Sequence, residues 1–167
     1  MITSEPLKHK LLRWFWNYIP NAYSRSGGRI RYIAADYREV RVSLSLGWRT
    51  RNYVGTIFGG SMFAATDPFY MLMLLNILGK DYVVWDKAAS IRFRKPGKGR
   101  LEARFVLTEA QIEQIKSAVA QHQEFEVALP IQLTNKEGQV CAEISRTVYI
   151  ADKVFYKQKQ AARVRSV

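Results

Sequence analysis

GGSMFAATDPFYMLMLLNILG, running from Gly59 to Gly79, is the stretch that decides the fold. It is apolar on every side, and a helix without a polar face is wrapped either by protein or by lipid. Its length approaches a membrane span. Asp67-Pro68 near its middle, the lack of a second such run and strand-like sequence on both sides favour a helix buried by a sheet. Asp67 is the one acidic or basic side chain between Gly60 and Gly79. A carboxylate in such surroundings is costly to bury unless something pairs with it or uses it, which makes it a candidate functional group. The other reading is a carboxylate that caps or bridges a neighbour at a subunit interface. Pro68 removes a backbone donor, so a kink that frees the Ala64 carbonyl is expected beside Asp67. Gly59 and Gly60 open the helix, where first-turn N–H groups have no helical acceptor and the dipole favours negative charge.

The sheet that covers this helix is legible on both sides of it. Upstream, the turn signal Ser26-Gly27-Gly28 precedes a weaker strand over 29–35. A second strand over 38–46 alternates Val40, Val42, Leu44 and Leu46 with Arg41, Ser43 and Ser45. Downstream, residues 82–95 read as a strand, with a turn at Pro96-Gly97 and Gly99. Residues 100–107 alternate Leu101, Ala103, Phe105 and Leu107. Thr108 and Gln111 form a capping box before Ile112, Ile115 and Val119 at helical spacing. Residues 124–134 alternate again, with Pro130 marking an edge or a bulge. Asn135 to Gly138 is a hairpin turn before the last strand, 140–150. Consecutive strands of this kind predict a largely antiparallel sheet, hence an α+β class.

The ends are basic. The net charge of +12 comes from 26 Lys and Arg against 14 Asp and Glu. Much of the excess lies at Lys8, Lys10 and Arg13 and at Lys153, Lys157, Lys159, Arg163 and Arg165. Such charge attracts nucleic acid, acidic lipid or a phosphorylated cofactor alike, or simply solvates a surface and a tail. The N-terminal segment reads as an amphipathic helix opened by Thr3 or Ser4 and closed by Pro20. Leu7, Leu11, Trp14, Phe15 and Tyr18 lie near one side, expected to pack on the domain, though Trp beside Lys and Arg also suits peripheral membrane contact. No basic start with an apolar run and a cleavage site is present, so no signal peptide is expected. The single Cys141 fits a reducing compartment, and cytoplasmic residence is the expectation. His9, His122 and Cys141 have no metal-ligand spacing, so no metal is expected.

Asn52, Gly55-Thr56, Gly59-Gly60 and Asp67 together form a more specific pattern. In it the chain resembles the hotdog-fold acyl-CoA thioesterase superfamily, whose signature runs Asn, Gly-Thr-x-His-Gly-Gly and then an acidic residue. Here the segment reads NYVGTIFGG over 52–60, and Asp67 falls at the acidic position. ASIRFRKPGKGRLEA over 89–103 is similar to the family's strand-turn-strand. DPFYMLML resembles most the DUF4442 branch, described as tetrameric acyl-CoA thioesterase-like.

The resemblance implies a single hotdog domain over 1–167, with an antiparallel sheet wrapped around a long central helix. Residues 1–28 would supply an extra N-terminal helix and turn, 29–150 the core and 151–167 a basic tail. It implies a homodimer with shared sites, assembled as a dimer of dimers, and no cofactor beyond the coenzyme A of the substrate. Asp67 would act as general base or nucleophile on a thioester with an apolar acyl chain. The Gly60 N–H would hold the oxyanion, and Asn52 would orient water or the carbonyl from the other subunit. Phe58, Gly59, Ser61, Met62 and Phe63 would contact substrate, and Arg92, Arg94, Lys95 and Lys98 would meet the phosphates of coenzyme A. Of the apolar residues, Met62, Phe63, Phe69, Tyr70, Met71 and Met73 read mainly as core. Phe58 stands where much of the family has His, and a phenyl ring forms no ordinary hydrogen bond. That departure keeps a second reading open: a non-catalytic protein that binds acyl-thioesters or lipids. Nucleic acid binding rests on charge alone and is not expected. Asp86 and Lys87 are unexplained charges within a strand-like run, facing either the dimer interface or the site.

Overall fold

Two-residue alternation builds the sheet. β2 (Glu39–Ser45) turns Val40, Val42 and Leu44 inward, and β4 (Arg100–Val106) turns Leu101, Ala103 and Phe105 inward. β5 (Glu124–Thr134) buries Leu129, Ile131 and Leu133; β6 (Val140–Asp152) buries Ile144, Val148 and Ile150. β1 (Gly28–Ile33) and β3 (Tyr82–Phe93) complete six antiparallel strands in the order β1-β2-β4-β5-β6-β3. The computed structural model describes residues 5–19 and 22–165. Thr3, Ser4 and Pro20, expected to bound the first helix, lie outside the described residues.

β3 and β4 are not hydrogen-bonded to each other, although a strand-turn-strand pattern joins them in sequence. The connection runs along the end of the sheet instead. Arg94 N and Lys95 N donate to Cys141 O, Gly97 O accepts from Ile57 N, and Gly99 O accepts from Leu46 N. This path lays the 94–99 turn against the loop that enters the central helix. β4 and β5 meet only at Glu102 and Thr134. Pro130 sits in the stretch of β5 that lacks a β4 partner, in keeping with an edge-like position.

The central segment is two helices, α3 (Gly59–Ala64) and α4 (Phe69–Leu78), rather than the one long helix expected. Length and composition alone would let 59–78 cross a membrane. In the fold it is broken at Pro68 and packed against the sheet. The Ala64 carbonyl, expected to be freed by Pro68, accepts from Asp67 N at 3.2 Å, and Thr66 Oγ1 donates to Phe63 O at 2.8 Å. These bonds close α3 and put Asp67 in the break. α4 then buries Phe69, Tyr70, Met73 and Leu74. Phe69 and Tyr70 meet the Phe105 ring at centroid distances of 5.0 and 5.1 Å, and Tyr70 Oη donates to Pro130 O at 2.8 Å. Met62, Phe69, Tyr70 and Met73 are core residues, with Phe63 and Met71 partly buried against them.

α5 (Glu109–His122) starts on the expected Thr108–Gln111 capping box and buries Ile112, Ile115 and Val119 against β5. α6 (Lys153–Arg165) makes a formed helix of the basic tail. Asp152 Oδ1 accepts from Val154 N and Phe155 N at its start, and Lys159 pairs with Glu124. α1 (Leu7–Tyr18) and the single turn α2 (Ala22–Arg25) precede β1. α1 follows Pro6 and docks on β1, but its apolar stripe does not face the domain as expected. His9 and Asn17 are buried, while Leu7, Leu11, Trp14, Phe15 and Tyr18 are exposed. The reason is that α1 is held by hydrogen bonds to the backbone of an edge strand, with Leu12 and Trp16 as its apolar contacts to the core.

Candidate active site

Asp67 stands where the chain leaves α3, and its side chain is about half accessible to solvent. Asp67 Oδ2 accepts from Arg146 Nη1 at 2.7 Å. Arg146 is buried on the inward face of β6, in phase with Ile144, Val148 and Ile150. Its Nη2 donates to Phe63 O at 2.9 Å and to Thr66 Oγ1 at 3.3 Å, and its guanidinium lies 4.5 Å from the Phe63 ring centroid. One guanidinium thus ties the end of α3, the break and β6 together, and fixes one oxygen of Asp67. Asp67 is therefore not the unpaired carboxylate that its apolar surroundings imply.

Asp86 belongs to the same cluster. It pairs in register with Val148, whose side chain shares the inward face of β6 with Arg146. Asp86 Oδ1 is buried with no hydrogen-bond partner. Burial raises its carboxyl above the ordinary carboxylate range, the nearby Asp67 charge raises it further, and Arg146 opposes both. The ladder slips between Asp86 and Ala88, so Lys87 points out to pair with Glu126. The two unexplained charges of β3 thus part: Asp86 joins the site and Lys87 takes a surface ion pair.

The other expected residues gather at the opposite end of α3. Asn52 Nδ2 donates to Thr56 Oγ1 and Asn52 Oδ1 accepts from Thr56 N, both at 2.9 Å. Both ends of its amide are thus engaged within its own loop, away from the same chain's Asp67. Phe58 precedes α3, and Met62 N donates to its carbonyl at 3.2 Å. Its ring lies over Gly60, where an added Cβ would sit 2.3 Å from Phe58 Cε1. The Phe93 ring lies over Gly59 in the same way, 2.7 Å from an added Cβ. Two exposed phenyl rings therefore flank the Gly-Gly pair, and only glycine gives them room in these rotamers. Ser61 is half-buried on α3, and Met62 is buried against Gly97 of the basic turn. Arg92, Arg94, Lys95 and Lys98 are exposed beside this end, with Arg94 paired to Glu143 at 2.7 Å.

The loop, the Gly-Gly pair and the basic turn are thus brought together, while Asp67 lies elsewhere. Asp67 comes seven residues after Gly60, beyond the end of α3 at Ala64. Arg146 and Phe93 were not among the expected site residues, and Asp86 was left between the site and the dimer interface. For Arg146 the available signal was phase: an arginine on the apolar beat of a strand. A cleft of about 950 Å³ opens where β4 and β5 diverge, rimmed by Arg31, Arg41, Arg100 and Arg104. Arg41 and Arg104 share Glu39, which the Arg104 hydrogen bond in particular holds down at about 2. Among the described residues no group of three or more His, Cys, Asp or Glu is placed to hold a metal.

An antiparallel sheet curved around a central helical segment, with a Gly-Gly entry and an acidic exit, is the hotdog fold. The chain belongs to the DUF4442 family, a domain of unknown function, whose family model matches residues 14–150. Solved structures share the fold. A Pseudomonas aeruginosa protein described as a probable thioesterase aligns with TM-score 0.75 at 22% identity, covering 90% of this chain and 99% of its own. A Chlorobaculum tepidum protein of unknown function aligns with TM-score 0.68 at 14% identity, covering 88% and 95%. A Haemophilus influenzae thioesterase aligns with TM-score 0.63 at 15% identity, covering 91% and 96%. No curated protein matches the chain in sequence.

Proposed function

We propose that this protein hydrolyses an acyl-CoA or related thioester with an apolar acyl chain. Asp67 acts as general base on water or as nucleophile on the thioester carbonyl. The Gly60 N–H receives the developing oxyanion, and Asn52 orients water or the carbonyl. The observation that carries this reading is the placement of Asp67: one oxygen is held by buried Arg146, so the carboxylate has a fixed position while half of it faces solvent.

A reacting carbonyl must lie about 3 Å from both its nucleophile and its oxyanion donor. In one chain Gly60 opens α3 and Asp67 lies beyond its far end. A site composed of Asn52 and Gly60 from one copy and Asp67 from another would bring these groups together across an interface, so the active form is proposed to be a homodimer, itself paired as a dimer of dimers. The exposed Arg92, Lys95 and Lys98 beside Gly59 would meet the phosphates of coenzyme A, and Phe58 and Phe93 would flank the thioester.

A second reading, a non-catalytic acyl-thioester- or lipid-binding protein, is favoured by Phe58: its apolar ring packs over Gly60, where a polar group would otherwise assist. One experiment separates the two. Acyl-CoAs of graded chain length are offered to wild type and Asp67→Asn with detection of free thiol. Thiol release that falls at least about a hundredfold in the variant supports hydrolysis through Asp67. Equal rates remove Asp67 from the chemistry, and binding without release in both proteins assigns the binding role.

A further inference from the structure

α1 docks with its polar side inward. Asn17 Nδ2 donates to Ile30 O and Asn17 Oδ1 accepts from Ile30 N, both at 2.8 Å. His9 Nδ1 lies 3.4 Å from Ile33 O, and Glu5 Oε1 accepts from Ile33 N at 3.1 Å. These side chains act as a substitute strand along the free edge of β1. The consequence is an outward apolar face. Leu7, Leu11, Trp14, Phe15 and Tyr18 are between 49% and 72% exposed. At about 100° per residue they fall within roughly 100° of arc. Lys8 and Lys10, both exposed, flank that arc on either side.

A contiguous apolar face of this size on a soluble surface marks a contact site. Charge decides what covers it. α1 contains no acidic residue, and Arg13 is already paired with Glu5 at 3.2 Å. A twofold contact between two copies of α1 would bring lysine towards lysine with no carboxylate on the helix to receive them. An anionic lipid surface supplies the missing negative charge, and Trp and Tyr suit the boundary between headgroups and acyl chains.

We propose that α1 seats the protein on the surface of membranes that contain anionic lipid, with its apolar face in the headgroup–acyl boundary and Lys8 and Lys10 on lipid phosphates. This site is separate from the Asp67 cluster and does not depend on thioester hydrolysis. It carries a use for a protein whose net charge is +12 beyond general solubility.

The test is flotation of the full-length protein with vesicles of phosphatidylcholine alone or mixed with phosphatidylglycerol. Wild type is expected to float with the mixed vesicles and far less with the neutral ones. Leu11→Ser/Trp14→Ser keeps the net charge and leaves Glu5, His9 and Asn17 in place; it is expected to bind at least about tenfold more weakly, with an unchanged thermal melt. Lys8→Gln/Lys10→Gln is expected to lose about tenfold on mixed vesicles only. Wild-type failure to bind, equal binding to both vesicle types, or undiminished binding by the serine variant would each overturn the proposal. A wild type that ignores vesicles but self-associates through this face, shown by a serine variant of lower mass in sedimentation, would assign the face to a second copy instead.

Discussion

Arg146 and Asp67 are unequal partners. The Arg146 side chain is 4% exposed and that of Asp67 is 47% exposed. Removing Asp67 leaves a guanidinium buried without its counter-charge, whereas removing Arg146 leaves a carboxylate that water can reach. Breaking a fully buried pair costs about 3–5 kcal/mol. Arg146 keeps Phe63 O and Thr66 Oγ1, so Asp67→Ala is expected to destabilise by about 2–3 kcal/mol. Arg146→Met is expected to destabilise by about 1–2 kcal/mol, and the double variant by less than the sum, in urea unfolding curves. Asp67→Asn suits the activity assay because its amide oxygen can still accept from Arg146. Asp86 makes a pH-dependent prediction. Its folded carboxyl is raised by burial and by Asp67, so the unfolded chain releases the Asp86 proton first. Stability from this group is therefore whole at low pH and falls as pH rises above the ordinary carboxylate value of 3.8. Asp86→Asn should melt higher than wild type at neutral pH and lose that advantage in acid. At this scale Asp67 was legible as a lone carboxylate in an apolar run, and its proposed role came from the family resemblance. Arg146 was not singled out, because an arginine in a strand reads first as a solvent-facing residue. Its phase with Ile144 and Val148 was the clue.

The elements divide by what holds them. Strands that bury alternate apolar residues were legible because their period of two is written in the side chains, and the α5 start was legible in its capping box. The central helix was legible as apolar and central but not as two pieces. Pro68 predicted a kink with a freed Ala64 carbonyl; the Asp67 N–H that takes this carbonyl and the Thr66 hydroxyl bond that ends α3 depend on geometry that periodicity does not encode. α1 was legible as a helix, while its docked face was misread. Apolar stripes usually face inward, but here Asn17, His9 and Glu5 bond to the β1 edge and Leu12 and Trp16 supply the apolar contacts to the core. Asn17→Ala leaves the buried N–H and C=O of Ile30 without these bonds. It is expected to destabilise by about 1–3 kcal/mol in denaturant unfolding and to speed amide exchange at Ile30. An unchanged midpoint would mean that apolar contacts from Leu12 and Trp16, not Asn17, hold the helix.

The two edges of the whole sheet are treated differently. α1 covers the β1 edge with side-chain hydrogen bonds, while β3 pairs with β6 on one side and, among the described residues, with no strand on the other. Ala88, Ala89 and Ser90 are exposed there, with no bulky side chain to obstruct another backbone. An open strand edge of this kind is a template for pairing with a further chain. The proposed site draws on a second copy, and β3 carries Asp86 in its first half and Phe93 at its end. The proposed dimer therefore joins β3 to β3, antiparallel about a twofold axis. Ala89→Glu/Ser90→Glu would place like charges opposite one another across that axis without touching the core. Like-charge juxtaposition at an interface costs several kcal/mol, so the dimer is expected to weaken by about a hundredfold or more in sedimentation equilibrium. Thiol release should fall with the dimer fraction and recover as protein concentration is raised. A variant that remains dimeric would move the contact off β3. One that dissociates yet hydrolyses at an undiminished rate per chain would show that a single copy holds the whole site, and the division of Gly60 and Asp67 between two copies would be wrong.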